Sequence, residues 1–326
     1  MENKTDNKMD NKQNLVNIEF TDKIVAQLMP EWKDCDIDVS VLSGGITNKL
    51  YRAKCKKGDV AIRVYGDKTE MFIDRDIEAS ALKQMAEAGI TTKLIKYLPE
   101  QHVTIIEFIP DSYTLKNPDF LKDDLRETIM EPVRRIHASG AKVNNLFNPY
   151  KQCVKMFDIL NKLNVSFPEF KIVETISKLK ILIDKINIPE SKYVITHNDL
   201  LADNFILVNE KLKDKFEKPL YIIDWEYAGM GPRYYDIADM FQEILVPRDA
   251  ELKIVESFCE GKNFEETLFY CDLFKPFPDI YWFLWSLIQL TVSKIKFDYY
   301  TYGKVKYDNA IKNIDFLKKE YKVAGL

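Results

Sequence analysis

The chain has 326 residues, 46% apolar and 30% charged, with a net charge of −4. These proportions predict a soluble globular protein of one large or two moderate domains, and the mild acidity lacks the positive field that nucleic-acid binding demands. Five cysteines with no C-x-x-C pair, beside only three histidines, argue for reduced thiols in a cytosol and against a zinc cluster.

In chain order, residues 1–14 are dominated by Asn, Lys and Asp; no apolar stretch marks a secretory signal, and so polar a segment predicts a disordered tail. From about 38 the pattern becomes strand-like. Val39-Ser40-Val41-Leu42 alternates, Ser43-Gly44-Gly45 breaks the run, and Leu50-Tyr51-Arg52-Ala53 resumes it. Lys56-Lys57-Gly58-Asp59 reads as a hairpin turn into a strand over 60–64. Apolar residues at 73, 77, 82 and 85 predict a helix over 71–88 that stops at Gly89. Strands at 94–97 and 103–108 complete a small sheet carrying one helix, residues 15–110, with a linker near 108–112.

The remainder, 111–326, reads as mainly helical. Periodic segments fall at 119–138, 150–163 and 170–187, short strands at 193–196 and 220–223, and an aromatic-rich helical stretch at 234–326. The most apolar window, 281–288, is well short of the roughly 20 residues of a membrane span. The fold class is therefore α+β: a small antiparallel sheet region followed by a larger, mainly helical one.

Three places could carry chemistry. Ser43-Gly44-Gly45-Ile46-Thr47-Asn48 lies between two strands, where backbone amides can cradle a phosphate or simply close a hairpin. His197-Asn198-Asp199 follows a short strand, with Asn204 five residues beyond Asp199. An Asp there can accept a hydroxyl proton while the Asn offers an oxygen to Mg²⁺; His197 reads as a structural hydrogen-bonding residue. Asp224, in Ile223-Asp224-Trp225-Glu226, is an acid at another strand end and suits a second metal ligand.

H-x-D-x-x-x-x-N followed by I-D-W-E resembles the small-molecule phosphotransferases of the protein-kinase-like fold. The finer resemblance is to choline/ethanolamine kinases. It runs through Leu42-Ser43-Gly44-Gly45-Ile46-Thr47-Asn48, Ile62-Arg63-Val64-Tyr65-Gly66 and Glu107-Phe108-Ile109-Pro110, then the two acidic motifs, Asp236-Ile237, Glu243 and Trp282-Phe283-Leu284-Trp285. It covers roughly residues 38–310.

The resemblance implies a bilobal, kinase-like fold and transfer of phosphate from ATP with Mg²⁺. It makes Asp199 the base, and Asn204 and Asp224 the metal ligands. Ser43, Gly44, Gly45, Asn48 and Arg63 would meet ATP, with Glu78 as the partner of Arg63, and Glu107 and Ile109 would meet adenine through backbone groups. Where the family often has Gln and Gly, this chain has Leu201 and Asp203. That extra acid either binds a second ion or faces solvent. The family often dimerises, so the resemblance leaves room for a homodimer.

Between Phe264 and Tyr307, 14 of 44 residues are aromatic, against 12% of the whole chain. Trp282, Trp285 and Gln289 share a helix face, and Tyr299 and Tyr302 follow. Rings at such positions either fill a core or surround a cation. The resemblance makes Tyr227, Glu243, Trp282, Trp285, Tyr299 and Tyr302 the acceptor site. Several rings would hold a quaternary ammonium without hydrogen bonds, which favours choline over ethanolamine. An aminoglycoside acceptor would want carboxylates in place of the indoles. A kinase of this kind is expected in the cytoplasm.

Overall fold

The computed structural model describes residues 20–42, 48–66, 73–293 and 295–326. The expected tail and the loop residues Ser43, Gly44 and Gly45 lie outside the described residues.

A short helix α1 (Asp22–Leu28) precedes the strands β1 (Asp38–Leu42), β2 (Lys49–Cys55) and β3 (Gly58–Val64). Helix α2 (Arg75–Glu87) follows, then β4 (Leu94–Leu98) and β5 (Val103–Glu107). The strands form one antiparallel sheet in the order β1-β2-β3-β5-β4. Alternation turns Tyr51 and Ala53 of β2 and Val60, Ile62 and Val64 of β3 to one face, where they bury Val25, Leu28 and Trp32. The α1 segment carries no strong sequence pattern; its helix is held by Val25 and Leu28, which cover that face together with Trp32 just beyond it.

Helix α2 starts at Arg75 because the Asp74 side chain accepts the amides of Asp76 and Ile77. Gly89, at φ +65°, ends it as its sequence suggested. The buried face of α2 (Ala81, Leu82, Met85) joins the main core, and the Ile222 amide donates to the Ile90 carbonyl at 2.9 Å, tying sheet region to helical region.

Beyond a short β6 (Tyr113–Thr114), the predicted helix 119–138 is only partly formed. Residues 117–121 make a tight turn, and α3 spans Arg126–Ala138. Pro118 lacks an amide hydrogen and suits only a first turn. Asp119 closes that turn by accepting from the Lys116 amide, the Tyr113 hydroxyl and Lys122. Helices α4 (Pro149–Lys162) and α5 (Ile172–Ile186) lie close to their predicted spans.

Four very short strands follow, β7 (Val194–Thr196), β8 (Phe205–Leu207), β9 (Leu220–Ile222) and β10 (Gly229–Gly231). They form the ladders β10-β7 and β6-β8-β9. The sequence pattern reveals β7 and β9, but three residues are too few to show β8 or β10.

The aromatic-rich end divides into α6 (Arg233–Ile244), α7 (Arg248–Cys259), α8 (Phe264–Phe274), α9 (Pro276–Val292) and α10 (Tyr299–Glu320). Helices α9 and α10 pack closely at Gly303, where a Cβ would stand 1.9 Å from Ser286 Oγ. No helix of the described residues is long and apolar enough to cross a membrane.

Candidate active site

The segment 197–204 joins β7 to β8 and is held from beneath by α6. Asp236 accepts the amides of His197 (3.0 Å) and Asn198 (2.8 Å) and meets His137 Nε2 at 2.8 Å. One turn later, Asp239 accepts the Leu200 amide at 2.7 Å. Two carboxylates at i and i+3 on one helix face thus fix the backbone on either side of Asp199. His197 is fully buried, meets the Ile223 carbonyl through Nε2 at 2.9 Å, and packs edge-on against Trp225, in keeping with the structural place its sequence suggested.

Asp199 is 6% exposed, and its Oδ1 has no hydrogen-bond partner among the described residues. Burial raises its pKa well above the ordinary carboxylate value, and the negative charges of Asp239 and Glu243 push the same way. Asn204 donates its side-chain amide to the Asp199 carbonyl at 2.9 Å, which leaves its own side-chain carbonyl oxygen to accept elsewhere. The Ile223 amide donates to the Asn204 carbonyl, so Asp224 follows directly beside Asn204. Asp224 has φ +67° and a side chain about one-third exposed. Among the described residues, no three His, Cys, Asp or Glu side chains converge as a metal cage. Mg²⁺ at a phosphate site takes one or two hard protein oxygens and keeps the rest for water and phosphate, and Asn204 with Asp224 supplies such a pair.

The sheet region contributes Arg63 from β3. Its guanidinium pairs with Glu78 on α2 and with Asp224, and stands 3.7 Å from Glu226. Burial pulls the Arg63 pKa down, but Asp224 and Glu226 more than offset it and hold it above its ordinary value. Arg75 binds Glu78 at 2.7 Å and Glu226 at 3.0 Å while lying over the Tyr65 ring. Asn48 donates to Glu226 at 3.2 Å and accepts the Gly66 amide at 3.3 Å. The fold thus gathers Asn48, Arg63, Glu78 and Asp224, widely separated in sequence, into one charged network. Glu107 ends β5 with its amide on the Lys93 carbonyl, and Ile109 is buried with Val208, Phe216 and Tyr221. Asp203 has a largely exposed side chain, paired with Lys116 at 2.5 Å.

The expected acceptor-site rings form a continuous edge-to-face cluster. Centroids lie 5.3 Å apart for Tyr227–Trp282, 5.7 Å for Trp282–Trp285, 5.7 Å for Trp285–Tyr299 and 6.3 Å for Trp285–Tyr302. Trp282 donates its indole N–H to Asp239 at 3.3 Å, and Asp239 also holds Leu200, so the rings and the Asp199 segment share a support. Glu243 accepts from Lys306 at 2.7 Å.

Arg75, Glu226, Asp239 and Lys306 escape the sequence reading as site residues. Lys306 had a usable signal: Tyr299, Tyr302 and Lys306 lie at i, i+3 and i+7 on α10. The Arg75–Glu226 contact had none, because its partners are 151 residues apart.

His197 carries one stability consequence. Burial lowers its pKa below the ordinary imidazole value, although Asp236 opposes that shift. The folded protein therefore keeps His197 neutral where the unfolded chain, with a value near 6.5, takes up a proton. Its contribution to stability is fully present above about pH 6.5 and is lost as pH falls below it, at up to about 1.4 kcal/mol per pH unit. Urea midpoints measured from pH 7.5 to 5 are expected to fall for the wild type and to fall less for His197→Gln; equal slopes would remove His197 as the source.

The sheet, the helical region and the charged junction between them define a kinase-like fold. The choline kinase LicA from Streptococcus pneumoniae superimposes with a TM-score of 0.75 at 22% identity, over 90% of this chain and 98% of that one. The sequence matches the choline/ethanolamine kinase family model over residues 39–255, and the chain belongs to that family. Ethanolamine kinase 1 from Mus musculus is 27% identical over 332 residues, 89% of this chain and 87% of its own. A probable ethanolamine kinase from Arabidopsis thaliana is 26% identical over 322 residues, 88% and 83% respectively.

Proposed function

We propose that this kinase transfers the terminal phosphate of ATP to the hydroxyl of choline, giving phosphocholine, with ethanolamine as a poorer acceptor. The observation that carries the reading is the ring cluster fastened, through Asp239, to the segment bearing Asp199. A cation seated against the rings would have its two-carbon hydroxyl arm within reach of that segment.

In this reading Asp199 orients the hydroxyl and accepts its proton through the unpartnered Oδ1. Its raised pKa suits a base that must take a proton from an alcohol as phosphate arrives. Asn204 and Asp224 would hold Mg²⁺, which when bound neutralises charge developing on the phosphate oxygens. Arg63, held by Glu78 and paired with Asp224, would meet ATP as a phosphate ligand beside that metal site. Asn48, hydrogen-bonded to Glu226, would meet ATP with Ser43, Gly44 and Gly45, and Glu107 and Ile109 would meet adenine through the backbone. The five described cysteines are free thiols, which suits a cytoplasmic enzyme.

A second reading, ethanolamine as the preferred acceptor, is favoured by the names of the mouse and plant relatives. The two readings are separated by ADP release from Mg·ATP with choline, ethanolamine and an aminoglycoside offered singly. Higher kcat/KM for choline is the expected result. Higher kcat/KM for ethanolamine establishes the second reading, and turnover with the aminoglycoside alone discards both.

A further inference from the structure

An ammonium group of the protein's own lies beside one ring of the cluster, Tyr302. Lys306 is 4% exposed; its Nζ donates to the Gln242 carbonyl at 2.8 Å and to Glu243 at 2.7 Å. It stands 5.7 Å from the Tyr302 ring centroid and 4.0 Å from Asp279. Burial pulls its pKa down, but Glu243 and Asp279 more than offset that and hold it above the ordinary lysine value, so it stays charged.

Its position determines what is left for a substrate. A primary ammonium that sheds water needs acceptors for three N–H groups, whereas a quaternary ammonium needs none and is satisfied by ring faces. Two α6 carboxylates beside the rings already accept from protein donors, Asp239 through both oxygens and Glu243 through Oε1. Asp239 accepts from the Leu200 amide and the Trp282 indole, and Glu243 accepts from Lys306.

We infer that Lys306 is a specificity-determining residue of this kinase: by occupying Oε1 of Glu243 it withholds one of the acceptors that a primary ammonium would need, and so favours a quaternary one. The inference rests on the ring cluster being the ammonium site. It makes acceptor preference depend on a lysine that positions Glu243 without itself touching the hydroxyl.

The test is the ratio of kcat/KM for ethanolamine to that for choline, measured on the full chain with Mg·ATP. In Lys306→Met, Glu243 is released, and the ratio is expected to rise by about tenfold or more, mainly through a lower KM for ethanolamine. In Lys306→Arg, which keeps a cation on Glu243, the ratio should stay within about twofold of wild type. An unshifted ratio in a folded Lys306→Met protein overturns the inference. So does a selective loss of ethanolamine use in Glu243→Gln, which would make Glu243 an acceptor despite Lys306. Should Lys306→Met fail to fold by its thermal melt, Glu243→Gln decides: an ethanolamine-to-choline ratio that holds or rises keeps the inference, and one that falls overturns it. Wild-type turnover of choline with no shift in the variants sinks only this inference; wild-type turnover of neither amine sinks the proposed function and this inference with it.

Discussion

Asp199→Asn is expected to lower turnover by about 10²–10⁴-fold while leaving the fold intact. Asn matches Asp in shape and can still sit above α6, so the Asp236 and Asp239 bonds to His197, Asn198 and Leu200 persist. What disappears is the group able to accept a proton. Asp199 is buried among like charges, Asp239 and Glu243 foremost, and has an unpartnered oxygen. Neutralising it removes repulsion and a desolvated charge, so the melting temperature should hold or rise. ADP release and a thermal melt on the same preparation check both halves. Turnover within a few-fold of wild type would move the base elsewhere, and a loss of activity matched by a lower melting temperature would make Asp199 structural.

Arg63→Met is expected to cost about 3–5 kcal/mol of stability and to raise the KM for ATP. The guanidinium is only 12% exposed and serves Glu78 and Asp224 together, with Glu226 close by; Glu78 is 1% exposed. Removing the cation leaves buried carboxylates with Arg75 as their remaining described arginine partner. Lys keeps the charge but cannot span two carboxylates with one planar fork, so Arg63→Lys should fall between the two. Urea unfolding of Arg63→Met, Glu78→Gln and the double variant forms the decisive cycle. A coupling of about 0.5–3 kcal/mol is expected, and strict additivity would mean that the pair does not act as a unit.

These two residues were legible in the sequence for different reasons. Asp199 sits in a local pattern, with Asn204 and Asp224 at short spacings after short strands. Arg63 was legible through the resemblance, and its pairing with Glu78 is present in the structure as that resemblance implied. The ring cluster was visible as composition and helical spacing. Composition alone favoured a helical core and the resemblance brought in the cage; the contacts of the rings with one another and with Asp239 supply the geometry on which the cage reading is argued.

The sequence by itself determined the alternation of sheet and helix, the order of the motifs and the residue types able to move a proton or hold a metal. Each of these depends on neighbours a few residues away, where backbone periodicity and capping act. Only the tertiary structure decided that α1 covers the first sheet and that residues 117–121 turn before α3 begins. It also decided that Arg75 meets Glu226 and that Lys306 meets Glu243. Those pairings join residues 151 and 63 positions apart in the chain. Buried charges must find partners wherever packing brings them, and local sequence carries no record of which distant helix will supply one.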